Sequence, residues 1–446
     1  MSDTQQPEAG PQPCEDVDGE VVELCRQLIR IDTSNFGDDR GPGERAAAEH
    51  VAGLLDEVGL TPRIFESAPG RATVVARWAG REPDRPGLVL HGHLDVVPAM
   101  AADWQVDPFA GEIRDDCLWG RGAVDMKDMD AMVLSVVRAW ARAGRTPARD
   151  VVLVFFADEE AGGRLGSKWL VDNHPEVFEG CNEAISEVGG FSITVASGRR
   201  LYPIETAEKG MAWLRLVADG TAGHGSMTNT DNAVSALASA VARIGAHRWP
   251  VRWTPTVRAF LDRMSEELGV ALDPEEPDAL IARLGSLGRM VGATLRNTAT
   301  PTMLEAGYKV NVVPQRATAH VDGRFLAGAE DEFLATIDEL VGPRVRRETV
   351  LHDVALEAPY DVPLVAAMTA ALQAEDPGSD TVPYCLSGGT DNKALSRLGI
   401  RGYGFSPLRL PPELDFPALF HGVDERVPVE GLRFGARVIS RLLHAC

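Results

Sequence analysis

The sequence predicts an α/β protein: a mostly parallel sheet with helices on both faces, interrupted by a smaller α+β domain. Three observations lead there. Strand-like and helix-like segments alternate from the N-terminal region onward, the character of the chain changes near Glu208, and the alternation resumes from Tyr360. Alternating segments of the two kinds build parallel sheets, because each crossover helix covers a face. At 446 residues the chain is also too long for one ordinary core, which argues for more than one domain.

Taken in order, Val21 to Ile31 and Gly43 to Val58 space their apolar residues as helices do. Arg71 to Trp78, Gly87 to Asp95 and Val151 to Ala157 read as strands, and the last of these, VVLVFFA, is apolar enough to be buried on both faces. Met129 to Ala143 is a helix candidate between them. Beyond Glu208, Met211 to Asp219 reads as a strand, Asn232 to Ala246 as a helix, and Lys309 to Val313 and Ala317 to Phe325 as strands. Glu330 to Val341 follows as a helix and Arg346 to Leu356 as a strand. Two helices over one small sheet make an α+β insert of the ferredoxin-like kind. Trp253 to Asn297, a helical stretch containing Leu and Met, interrupts it; plain helix packing is the favoured reading, with an acyl-side pocket wall or an oligomer contact as the alternatives. Thr381 to Ser387 and Gly402 to Ser406 continue the larger domain. The expected division is a loose tail at 1–20, a discontinuous larger domain at 21–207 and 358–446, and an inserted domain at 208–357.

Composition narrows the function classes. Lys plus Arg is 44 against Asp plus Glu at 66, a formal charge of -22, which repels nucleic-acid phosphates and anionic membranes. Neither is expected as a partner. The six cysteines are scattered without a CxxC pair, as suits a reducing cytoplasm. Met1 to Glu20 is acidic and rich in Pro, Gln and Gly, without the basic and apolar regions of a secretory signal. No apolar run approaches the ~18 residues of a membrane span.

The chemistry gathers in three segments: His91-Gly92-His93-Leu94-Asp95, Gly120-Arg121-Gly122-Ala123-Val124-Asp125-Met126-Lys127-Asp128, and Asp158-Glu159-Glu160. On a strand His91, His93 and Asp95 share a face, since side chains alternate. A metal-binding imidazole usually gives its second N–H to a carboxylate that fixes its tautomer, and Asp95 is the expected partner of that kind for His93. Asp125 lies in a glycine-flanked loop, and a carboxylate with both oxygens free can join two cations ~3.5–4 Å apart. Read alone, that segment is equally a turn leading to a helix cap. Three carboxylates in a row after a buried strand repel one another, and cations are the usual remedy. One of them can bind metal while its neighbour stays free as a general base.

Together and in this order, the segments resemble the M20 family of dinuclear zinc peptidases and amidohydrolases, which includes aminoacylases, glutamate-type carboxypeptidases, succinyl-diaminopimelate desuccinylase and dipeptidases. The likeness is collinear from Leu28 to Leu442. It implies two zinc ions per subunit, with cobalt or manganese as alternatives. It implies zinc ligands at His93, Glu160, Glu187 and His421, a bridging ligand at Asp125 and a general base at Glu159; Glu183 is a nearby competitor to Glu187. The insert corresponds to the family's lid, where His224 resembles a histidine that steadies the oxyanion, often in a neighbouring subunit's site. Asn311 and Arg324 match substrate-holding positions, Arg324 for a carboxylate, and Gly389 and Thr390 lie in a loop resembling the family's substrate-facing glycine loop. Asp128 departs from the pattern, standing where many relatives have glycine. The implied activity is hydrolysis of an amide bond in an N-acyl amino acid or short peptide. A dipeptidase or carboxypeptidase is the alternative, and a silent, metal-stabilised binding protein the rival from another class. A homodimer through the lid follows only if His224 acts across subunits.

Overall fold

The computed structural model describes residues 16–37, 40–195, 197–284, 288 and 291–446. They form two compact units, one of Met1–Ile204, Tyr360–Val382 and Ala394–Cys446, the other of Glu205–Pro359 and Pro383–Lys393. The main difference from the expected division is Pro383–Lys393, which belongs with the insert. Its backbone is held there: Lys209 N–H donates to Leu386 O at 2.9 Å, and Glu208 accepts from Thr390 N–H at 2.9 Å and from its hydroxyl at 2.7 Å.

In the first unit the sheet runs, edge inward, Arg63–Ala68, Arg71–Trp78, Val151–Phe156, Gly87–His93, Cys181–Ser186 and Arg401–Gly404. Its centre is parallel: Gly87–His93 lies parallel to both Val151–Phe156 and Cys181–Ser186, and Arg401–Gly404 parallel to the latter. The first two strands are antiparallel to one another, and Arg71–Trp78 is antiparallel to Val151–Phe156. All seven residues of Gly87–His93 are buried, as a strand covered on both faces requires. Alternation sorts them. Val89 packs with Val152, Val154, Phe156, Leu170 and Val171 on one face, whereas Gly92 faces Met126 and Asp130 of the other; a Cβ there would lie 2.2 Å from Asp130 Oδ1, so only glycine fits. Helix Lys127–Arg142 buries most of its length, packing against helices Val21–Ile29 and Val429–Ala445.

The N-terminal tail is a correction in part. Residues 1–15 lie outside the described residues, but 16–20 are not loose: Val17 is buried and its carbonyl accepts from Ser135 Oγ at 2.6 Å, while Asp18 and Glu20 pair with Arg437 and Arg138. A local pattern of charge cannot reveal that two arginines wait on helices far along the chain. Among the described residues no helix is long and apolar enough to cross a membrane.

The second unit carries an antiparallel sheet in the order Thr298–Ala306, Arg316–Phe325, Gly210–Asp219, Arg346–Asp353. Helices Ala233–Ala246 and Glu330–Val341 cover one face, giving the βαββαβ arrangement of a ferredoxin-like fold. Strand Thr298–Ala306 is absent from the sequence reading, because an edge strand that contains Pro301 and is mostly exposed has no alternating apolar pattern to betray it. The Trp253 to Asn297 stretch folds as helix Pro255–Leu268, capped by the Thr254 hydroxyl, and a short helix Asp278–Ile281, burying Val257, Phe260, Leu261, Met264 and Leu280. That is the packing role. Phe333 is fully buried among Trp249, Phe325 and the sheet. Phe333→Ala is expected to destabilise this unit by about 3–5 kcal/mol, the cost of a large cavity, read as a lowered midpoint in urea unfolding.

Candidate metal centre

Three neighbouring parallel strands end side by side, and each delivers an ionisable group just past its carboxyl end, where sites of such sheets form. His93 closes Gly87–His93, Glu159 and Glu160 follow Val151–Phe156, and Glu187 follows Cys181–Ser186. Two loops add the rest: turns at 121–126 carry Asp125, and a turn after Leu419 carries His421. Asp158, Val188 and His421 have positive φ of 66, 60 and 56°. Backbone in that region costs of order 1–3 kcal/mol for such residues and persists where surroundings impose it.

The structure brings six of the sequence candidates together. His93 Nε2 lies 3.1 Å from Asp125 Oδ1 and 3.7 Å from Glu187 Oε2. His421 Nε2 lies 3.1 Å from Asp125 Oδ2 and 3.1 Å from Glu160 Oε2. Asp125 therefore gives one oxygen to each of two clusters. Glu159 sits with His93 and Glu187, ligand atoms within 4.8 Å of one another. Glu183, the competitor to Glu187, lies within the strand, in an ion pair with Arg149 at 2.7 Å. His421 has a side chain 55% exposed, which is why it reads locally as a surface histidine.

Asp95 works differently from the sequence expectation. His93 Nδ1 is 2.9 Å from the Asp95 backbone carbonyl, and 3.6 Å from its carboxylate. The strand ends at His93, so Asp95 is free to turn its carboxylate toward Glu159 N–H and Glu160 N–H, at 3.0 and 3.1 Å. Asn35 donates to the same carboxylate at 2.9 Å and to Asp158 at 3.2 Å; its own oxygen accepts from Arg71, which pairs with Glu44. Asn35, Arg71 and Glu44 are buried and went unnoticed in the sequence, where nothing local marks a polar residue that serves a distant backbone.

The electrostatics follow from crowding. Burial opposes charge on His93, yet the charge of Glu187 and the contact with Asp125 raise its imidazole well above the ordinary value. Hydrogen bonds to Asp125 and Glu160 push His421 up to about 10. Burial, then the charge of Asp125, push Glu160 up to about 7. Asp125 is itself buried, but hydrogen bonds from His421 and His93 hold its carboxyl below the usual range. Protons on two imidazoles thus compensate a nest of carboxylates. Divalent cations fit the same place: ligand atoms ~2.0–2.1 Å from a four-coordinate ion lie roughly 3.3 Å apart, close to the spacings seen. Glu160 Oε1 is buried with no hydrogen-bond partner, a lone pair left for a cation.

The remaining candidates lie in the second unit. His224 and Asn311 are adjacent there: Gly223–His224 pairs with Val312–Val313, and Gly225 N–H donates to Asn311 O at 2.9 Å. His224 is exposed, its Nδ1 2.8 Å from Ser226 Oγ. Arg324 forms a fork on Asp322, at 2.7 and 3.2 Å. Thr390 is anchored on Glu208, and beside it a Cβ on Gly389 would lie 2.4 Å from Lys393 Cε. Asp128 is buried in the first turn of its helix with Oδ1 unpartnered.

The family model described as Peptidase family M20/M25/M40 matches residues 89–445. The chain belongs to this family. The chain is an M20 amide-bond hydrolase, of a family that acts on small amide or peptide substrates and is metal-dependent. It is 26% identical over 444 residues to the N-fatty-acyl-amino acid synthase/hydrolase PM20D1 of Xenopus tropicalis, covering 95% of this chain and 85% of that one. It is 26% identical over 434 residues to human (Homo sapiens) Aminoacylase-1, covering 95% and 94%. Its fold matches the M20 family metallo-carboxypeptidase Sso-CP2 from Sulfolobus solfataricus with a TM-score of 0.71 at 16% identity, covering 95% and 98%.

A cation entering this centre must displace the imidazole protons. Metal binding near pH 7.5 is therefore expected to release protons, and affinity to fall as pH is lowered. Calorimetric titration in buffers of different ionisation enthalpy measures this; a heat independent of buffer would contradict the assignment of protons to His93 and His421.

Proposed function

We propose that this M20 enzyme is a dizinc hydrolase cleaving the amide bond of an N-acyl amino acid or a short peptide, with Glu159 activating the attacking water. The observation that carries the reading is Asp125, one oxygen 3.1 Å from His93 and the other 3.1 Å from His421. A single-ion site has no use for a carboxylate shared in this way. The nitrogen and oxygen donors suit zinc, with cobalt and manganese compatible. Ions held by His93, Glu187, Asp125, Glu160 and His421 would polarise the scissile carbonyl and acidify water toward neutrality.

The protein's own groups do the rest. Glu159, its backbone fixed by Asp95 and its carboxylate beside His93 and Glu187, accepts the proton of the attacking water and returns it to the leaving nitrogen. His224 donates to the oxygen on which negative charge develops. Arg324, already aligned by Asp322, binds the substrate carboxylate, with Asn311 and the Gly389–Thr390 loop holding the remainder. The exposure of His224, with Met227, Tyr308 and Val310 exposed in the same unit, supports a homodimer through the lid. The five described cysteines are all unpaired, in keeping with a cytoplasmic location.

Two measurements test the assignment. Zinc-loaded wild type is expected to hydrolyse members of a panel of N-acyl amino acids and dipeptides, and Glu159→Gln to lose about 10²–10⁴-fold in kcat with its ions retained. A preference for dipeptides or for C-terminal residues of peptides would move the substrate to the dipeptidase or carboxypeptidase reading. Retained turnover in the variant would refute the role of Glu159. Arg324→Met is expected to raise KM about 10–100-fold for substrates with a free carboxylate, the worth of a lost charge-assisted bond; an equal effect on the corresponding amides would refute carboxylate binding.

A further inference from the structure

We infer that Glu425, together with Arg121, holds Asp125 and His421 in register and so sets the affinity of the second cation position. The inference rests on reading His421, Glu160 and Asp125 as one ligand set. Glu425 is fully buried, four residues after His421, and it is the common anchor of the loop that carries Asp125. Gly120 N–H donates to the Glu425 backbone carbonyl at 3.0 Å. Gly122 N–H donates to its Oε2 at 3.1 Å and Val124 N–H to its Oε1 at 2.7 Å. Val124 is the residue before Asp125, so the backbone leading into that carboxylate is tied to Glu425 at three points.

Arg121 extends the anchor to the other ligand. Its Nη1 donates to Glu425 Oε2 at 2.6 Å and its Nη2 to the backbone carbonyl of His421 at 3.5 Å. The guanidinium is 4% exposed and stacks 5.2 Å from the ring centre of Trp104. The far side of the His421 loop is clamped as well: Gln105 donates to both carboxylate oxygens of Asp424, from N–H at 2.8 Å and Nε2 at 2.7 Å. Two ligands distant in sequence thus share one buried ion pair.

Folding stability alone gives little reason for a charge at this place. The strands Cys117–Trp119 and Arg426–Pro428 already join the two segments by backbone pairing, and Trp104, Val106 and Trp119 form a cluster beside them. A buried ion pair adds little net stability over apolar side chains of similar volume. A carboxylate does offer two acceptors at fixed spacing, which matches the two loop amides. An isosteric amide cannot: in Glu425→Gln one N–H of the loop would face an NH₂ group and lose its acceptor. Outer-shell partners that orient metal ligands usually change metal affinity about 10–100-fold when altered.

The test is a stepwise zinc titration of metal-free full-length protein, wild type against Glu425→Gln, with thermal unfolding of both metal-free proteins. Wild type is expected to bind two ions. The variant is expected to weaken the second step by about 10–100-fold and the first step, which shares only Asp125 with it, by clearly less, with a lower metal-free melting temperature because Arg121 and one loop N–H lose their buried partner. Arg121→Lys, which keeps a cation for Glu425 but loses the nitrogen directed at His421, is expected to show the same split at smaller size. Two unchanged steps in both variants would overturn the proposal. So would an equal weakening of both steps, the mark of a pair that acts only through folding. A wild type that binds one ion would overturn the two-ion reading itself, and the clamp with it, before any variant is compared.

Discussion

Like charges confined in a small, largely buried space govern this structure. Asp125, Glu160 and Glu187 converge with Asp95 and Glu159 at the ends of three parallel strands, and burial makes each uncompensated charge costly. The shifts at His93 and His421 are the response, as each imidazole holds its proton tightly to offset the acids around it. The same excess of negative potential makes the centre a receptor for cations. A scaffold that tolerates this repulsion without collapsing or opening must grip the acidic segments by their backbones.

That grip is visible on each side of the centre. Asp95 takes the amides of Glu159 and Glu160, and is itself held by Asn35 within a buried chain of hydrogen bonds that ends at Arg71 and Glu44. Glu425 takes the amides around Asp125. In both places a buried carboxylate is satisfied by backbone N–H groups and an Arg or Asn, and its rigidity passes to the neighbouring acidic residues of the centre. Packing supplies the platform, since Gly87–His93 lies between two apolar layers and cannot shift without disturbing both.

How much of this was legible in sequence depended on distance along the chain. His93, Asp125 and the Glu159–Glu160 pair become legible when taken together, because each follows a strand-like segment and strand ends are where such sheets build sites. Glu187 was legible only with a rival, Glu183; the fold separates them by giving Glu183 to Arg149. His421, half exposed and in a Pro-rich segment, had no local signature beyond its resemblance to a known motif. The edge strand Thr298–Ala306 escaped because its residues face solvent and carry no period. The role of Asp95 was shifted from side chain to backbone by the point at which the strand stops.

The sequence by itself determined the α/β class with its α+β insert, because periodicity is local and survives in one dimension, and its resemblance to the M20 family supplied the ligand candidates. Only the tertiary structure decided that Asp125 divides its two oxygens between His93 and His421, and that Glu425 and Arg121 join the loops that carry them. Those are relations of ångströms between residues hundreds of positions apart. They arise from how the sheet and its loops pack, and no pattern within a stretch of chain encodes them.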